Sequence, residues 1–118
     1  MIPVFVYGTL RKGQGNSHYL AQSHQIGGIR KLSGYEMYEV CPSFPGITEG
    51  DGKVYGELYH VDNRTLYMLD MLEGVPHFYD RKEVVLDCGT HAYAYVLPDD
   101  LKENIPVKCG DWVQYKKK

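Results

Sequence analysis

Apolar residues alternate from the second position: Ile2, Val4 and Val6 fall on one side of an extended chain, Phe5 and Tyr7 on the other. Both sides are apolar, which predicts an interior strand, and the pattern stops at Gly8. The same period of two gives short strands over 24–31 and 34–40, parted by Ser33-Gly34, then over 53–61, 79–86 and 90–96. Residues 111–115 read as a last strand. Gly50-Asp51-Gly52 is a hairpin signal ahead of the 53–61 strand. Residues 41–46 read as a loop, because two prolines and a glycine oppose a regular ladder. Only one stretch has a clear helical period. Leu66, Leu69 and Leu72 share a face, Asp62 is a good N-cap, and Gly74 with Pro76 closes the helix, which predicts 63–72. Asn16 or Ser17 is placed to cap a short helical segment over 18–21, and Pro98-Asp99-Asp100 opens a final loop. The sum is α+β: many short strands, little helix, and a closed or strongly curled sheet.

Composition narrows the partners more than the fold. The chain of 118 residues reads as one domain, 1–118, long enough to build a core without disulfides. Thirteen basic against fifteen acidic residues leave a net charge of −2, which argues against nucleic acid as a partner. No apolar run reaches membrane-spanning length, and Arg11 and Lys12 follow the first apolar stretch instead of preceding it, so neither a membrane nor a secretory leader is expected. Cys41, Cys88 and Cys109 are odd in number and far apart, which predicts free thiols in a reducing cytoplasm. Eleven tyrosines against three phenylalanines fit a tyrosine-lined cleft, and equally the ordinary preference of strands for tyrosine.

Most familiar catalytic patterns are missing. There is no G-x-S-x-G elbow, and the five histidines show no metal spacing. Gly13-x-Gly15 lacks the third glycine of a dinucleotide turn, and Gly52-Lys53 lacks the spacing of a phosphate loop. Cys41 is the best placed thiol nucleophile, although an idle thiol is the commoner outcome. Two features remain. Gly8 permits positive φ or close approach of a ligand, and the amides of Gly8, Thr9 and Leu10 after a strand end form a concave anion site, unless this is an ordinary turn. Glu73 ends an apolar helix beside a rigid turn. Desolvation there raises a carboxyl pKa toward that of a general base; the alternative is a solvated glutamate at a wet helix end. Asp70 reads as an outer-face residue or a partner of Arg81, and Tyr79 as a ligand donor or a half-buried strand tyrosine.

Tyr7-Gly8-Thr9-Leu10 with Gly13 resembles the substrate-binding turn of the gamma-glutamylcyclotransferase-like superfamily. Val54-Tyr55-Gly56-Glu57-Leu58-Tyr59, Val61-Asp62 and the block Glu73-Gly74-x-Pro76-x-x-Tyr79-x-Arg81 agree with it in order and spacing, from residue 2 to about residue 97. The nearest branch is the small gamma-glutamylamine cyclotransferases and their bacterial relatives. The resemblance implies a small mixed β-barrel with one main helix and short helical segments, and a cleft at the strand ends. It implies a γ-glutamyl amine as the small-molecule substrate, bound by Tyr7, Gly8, Thr9, Leu10 and Tyr79. Glu73 is then the acid/base, 5-oxoproline the product, and no metal or cofactor is called for, because the nucleophile is the substrate's own amine. A non-catalytic module that captures a carboxylate-bearing metabolite in the same cleft is the alternative from another class.

Overall fold

The computed structural model describes residues 1–98, 101 and 103–117. Its elements in chain order are β1 (Ile2–Val6), a short 3-10 helix (Ser17–Leu20), β2 (His24–Cys41), β3 (Phe44–Val61), α1 (Asn63–Glu73), β4 (Asp80–Val85), β5 (His91–Val96), β6 (Ile105–Pro106) and α2 (Trp112–Lys116). The strands form one mixed sheet in the order β4-β5-β1-β3-β2-β6. Only the β1–β5 contact is parallel; the other neighbours are antiparallel. The sheet curls into a half-barrel. The first half of β3 comes round to the β4–β5 end, where Leu97 N donates to Ile47 O at 2.9 Å and Lys82 pairs with Glu49.

β1 is interior, as its two apolar faces require, with β3 on one side and β5 on the other. Phe5 and Tyr7 enter the core inside the curl, with Ile47, Leu58 and Trp112. Val4 and Val6 enter a second core under α1, with Leu66, Leu69, Tyr79 and Tyr95. Burying a side chain of this size stabilises by roughly 1.5–3 kcal/mol relative to leaving it exposed, so this short strand ties two cores together. Helix α1 begins where predicted. The Asp62 carboxylate accepts from Thr65 N at 2.7 Å, and Gly74 closes the far end at φ +69°, a conformation that suits a residue without Cβ.

Five expectations about the elements need correction. The 24–31 and 34–40 strands are one continuous strand of 18 residues, β2, paired with an equally long β3. Between the pairs Ser33↔Lys53 and Tyr35↔Glu49, β2 advances by two residues and β3 by four. Gly50-Asp51-Gly52 is therefore a bulge inside β3, where the Asp51 amide bonds the Glu36 carboxylate, and not a hairpin turn. The turn lies at Pro42-Ser43. Residues 41–46 are mostly sheet, because Cys41 pairs with Phe44 and Glu39 with Pro45. Proline is tolerated there because it sits beside a register shift near the strand end. Residues 112–116 form a short helix instead of a strand, since Asp111 caps it by accepting from Gln114 N at 3.2 Å. Asn16 precedes the 3-10 helix without capping it; its side chain is engaged elsewhere. Asp99 and Asp100 of the expected final loop lie outside the described residues. Among those described, no helix is long and apolar enough to cross a membrane.

Candidate active site

Where β1 ends, the chain turns sharply: Arg11 N donates to Gly8 O at 3.0 Å. Gly8 is not in the left-handed region, contrary to one reason for expecting glycine there. The requirement is space. A Cβ on Gly8 would lie 2.8 Å from Pro45 Cγ and 2.9 Å from its Cδ, closer than real contacts allow. Beyond Gly8 the turn is pinned twice by Asn16, whose amide donates to Thr9 O at 2.9 Å and whose Nδ2 donates to Thr9 Oγ1 at 3.0 Å. Within the described residues the amides of Gly8, Thr9 and Leu10 donate to no other group, so they remain available.

Behind the turn lies a buried ionic cluster. Arg11 is 4% exposed and Glu57 5%. Arg11 Nε meets Glu57 Oε2 at 3.1 Å, and its Nη1 meets Asp111 Oδ1 at 2.8 Å. The other Glu57 oxygen accepts from Lys12 N at 2.8 Å and from the Tyr59 hydroxyl at 2.9 Å. Burial and the adjacent carboxylate push the Tyr59 phenol well up. Glu57 thus holds the chain just past the turn by both side chain and backbone.

Glu73 approaches from the opposite side. Two backbone bonds fold the end of α1 back on itself, Val75 N to Asp70 O at 3.0 Å and Gly74 N to Met71 O at 3.2 Å. Tyr79 N then donates to Glu73 O at 3.2 Å, which fixes the residue within its turn. The half-buried carboxyl makes no hydrogen bond within the described residues. Desolvation raises its pKa from 4.5 to about 7. Three phenols surround it, and each donates its proton elsewhere. Tyr7 donates to Tyr95 O at 2.6 Å, Tyr79 to Pro45 O at 2.5 Å, and Tyr95 to Asp70 Oδ1 at 2.7 Å. Burial, with a contribution from Glu73, raises all three phenols, so they stay neutral. Asp70 also pairs with Arg81 at 3.3 Å, one of its two expected placements.

Turn and carboxyl face one cleft of about 290 Å³. Tyr7, Gly8, Thr9, Leu10, Glu73 and Tyr79 all line it. Tyr79 differs from expectation in one respect: its proton is given to Pro45 and not aimed at a ligand. Cys41, the thiol candidate, is not among the lining residues. Asn16, Phe44, Phe78 and Tyr95 line the cleft too, and sequence reasoning did not single them out. Tyr95 and Phe44 were hidden as ordinary strand and loop residues. Asn16 carries a signal, a polar side chain immediately after Gly-x-Gly, but the same position suits a helix cap.

The profile of the family described as "Gamma-glutamyl cyclotransferase, AIG2-like" matches residues 4–114. The chain belongs to this family. Among gamma-glutamylcyclotransferase relatives, a Vibrio cholerae protein is 40% identical over 111 residues, covering 94% of this chain and 95% of its own. The gamma-glutamylcyclotransferase family protein YtfP of Escherichia coli is 34% identical over 110 residues, covering 93% and 95%. The fold is shared as well. The crystal structure of an uncharacterized protein from Pyrococcus horikoshii superposes with a TM-score of 0.84 at 27% identity, covering 99% of this chain and 94% of that one. The curled sheet is therefore the gamma-glutamylcyclotransferase fold, and the match spans both the Gly8 turn and Glu73.

Proposed function

We propose that the protein converts a γ-glutamyl amine into 5-oxoproline and a free amine, with Glu73 as the general acid/base. The observation that carries this reading is the unpartnered Glu73 carboxyl, at a pKa of about 7, facing three unused amides across one cleft. The amides of Gly8, Thr9 and Leu10 receive the negative oxygens of the glutamyl group, with Tyr7 and Tyr79 as walls. Glu73 takes a proton from the α-ammonium, and the neutral amine attacks its own side-chain carbonyl. The new bond joins the α-nitrogen to the δ-carbon; the bond from that carbon to the departing nitrogen breaks. Two protons leave the α-nitrogen as an ammonium becomes a lactam N–H. Two reach the departing nitrogen as an amide N–H becomes an ammonium. No water, oxidant or reductant is consumed, and a carboxyl with pKa near neutrality suits both transfers. Holding the substrate curled supplies much of the rest, since proximity is worth about 7–11 kcal/mol.

The test is to incubate the protein with a panel of γ-glutamyl amines and measure 5-oxoproline. Release of 5-oxoproline above the uncatalysed rate is expected. Tight binding across the panel without turnover would instead favour a module that only captures such metabolites.

A further inference from the structure

How firmly Glu73 holds a proton depends on where its neighbours send theirs. Polar groups reach its surroundings from every side: Tyr7 after β1, Tyr79 ahead of β4, Tyr95 on β5, and Asp70 one turn earlier on α1. Cys41, at the end of β2, bears on Tyr79, and Arg81 of β4 pairs with Asp70. Tyr7 and Tyr79 give their protons to the main-chain carbonyls of Tyr95 and Pro45, which the sheet fixes. Tyr95 is different. It is 3% exposed, and its hydroxyl donates to a side chain, Asp70 Oδ1 at 2.7 Å. The same oxygen meets Arg81 Nε at 3.3 Å, and the Arg81 guanidinium lies 4.8 Å over the Tyr93 ring. The acceptor of the Tyr95 proton is therefore itself held in place by β4 and β5.

We propose that Asp70 is a positioning residue for the acid/base step: it takes the Tyr95 proton and so leaves the Glu73 carboxyl without a hydrogen-bond partner. This rests on the acid/base reading of Glu73 and adds a residue to it. A hydrogen bond donated to a carboxylate favours the charged form and makes it a weaker base. Take away Asp70, and the buried Tyr95 hydroxyl has lost its acceptor while Glu73, on the same cleft, has none to give up. A buried donor does not stay unpaired when an acceptor can swing to it. The freed phenol then binds ionised Glu73, and the base is quenched. Arg81 holds Asp70 turned toward Tyr95, so the ion pair acts on the chemistry without touching the substrate.

The experiment follows the Glu73 carboxyl by NMR titration of protein labelled with 13C-glutamate, its signal assigned by loss in Glu73→Gln. In Asp70→Leu, Glu73 is expected to titrate about one pH unit lower than in the wild-type protein. Asp70→Asn removes the charge but keeps an oxygen that accepts from Tyr95, and should stay near the wild-type value. Adding Tyr95→Phe to Asp70→Leu should return Glu73 toward that value, because the competing hydroxyl is gone. A merely structural Asp70 would move none of these. Thermal melts check each fold, and Asp70→Leu with Arg81→Leu removes the ion pair as a unit if the single variant does not fold. An unchanged titration in folded Asp70→Leu, or the same lowered value with and without the Tyr95 hydroxyl, overturns the role of Asp70. The titration needs no substrate, so it stands apart from the cyclotransferase reading. Where the protein turns over a γ-glutamyl amine, the acid limb of kcat/KM should shift down with the titration and its plateau should fall, since a weaker base takes the proton less readily. Absence of turnover by the wild-type protein with every amide overturns the acid/base reading, and the catalytic role given to Asp70 with it.

Discussion

At the scale of single residues, the proposed function rests on Glu73 and the proposed access to it on Gly8. Glu73→Gln keeps size and hydrogen bonding but cannot exchange protons. We predict a loss of about 10²–10⁴ in 5-oxoproline release with a much smaller change in affinity, measured by turnover and by calorimetry with the same amide. Wild-type kcat/KM should climb with pH through about 7, because only ionised Glu73 accepts the proton. Stability should move the opposite way. Since the folded-state pKa is raised from 4.5 to about 7, the native state holds this proton more tightly than the unfolded chain. Between those pH values the residue's contribution therefore turns against the fold as pH rises. The melting temperature of Glu73→Gln relative to wild type should grow from pH 4.5 to 7 and level off above; a gap constant with pH would contradict the burial of this carboxyl. Gly8→Ala drives a methyl into the Pro45 ring, whose carbonyl is held by Tyr79. The expected cost is about 1–3 kcal/mol in a urea melt, together with a disproportionate rise in KM. Normal KM would remove the turn from the site.

At the scale of elements, the Arg11 cluster joins the first turn, β3 and α2 through Glu57 and Asp111. Arg11→Met strands the buried Glu57 carboxylate, and we predict a loss of about 3–5 kcal/mol. Adding Glu57→Gln should recover part of it, which denaturant midpoints of both variants will show. The cluster was not read from the sequence, because Arg11, Glu57 and Asp111 are brought together only by the tertiary fold. What was legible depended on local rules. The two-faced strand at Val4-Phe5-Val6 and the helix from Asp62 to Gly74 obey period and capping, and both stand in the structure as expected. The long β2–β3 pair was cut into pieces because Gly34, Pro45 and Gly50-Asp51-Gly52 look like breaks one strand at a time. Paired across the ladder, they are register shifts that bend a continuous sheet. That error also concealed Phe44 and Pro45, which sit on the cleft because β3 begins early. The turn and Glu73 were legible for another reason: each is an exception to its surroundings, a glycine ending an apolar strand and a carboxylate ending an apolar helix.

At the scale of the whole molecule, the three thiols take no part in the lining of the cleft. Cys88 and Cys109 are exposed and Cys41 is half-buried; none lines the site. The Thr90 hydroxyl beside Cys88 lowers its thiol pKa, so iodoacetamide should label Cys88 early, as peptide mass mapping will show. Alkylation and chelators alike should leave 5-oxoproline release intact; loss on modifying Cys41 alone, with the melt unchanged, would point to a thiol mechanism instead. The place of β1 in the sheet has one more consequence, in the order of events along a nascent chain. β2 and β3 are neighbours in sequence and can zip together over a turn of two residues. β1 has its neighbours in β3 and β5, and the Tyr7 hydroxyl reaches a carbonyl 88 residues away. Contacts so distant form late, after loop closure has been met. We expect amides of the β2–β3 pair to gain protection in pulse-labelled hydrogen exchange before those of β1, and the opposite order would refute this. On that timetable a ribosome must extrude β5 as well as the β2–β3 pair before there is any cleft to fill.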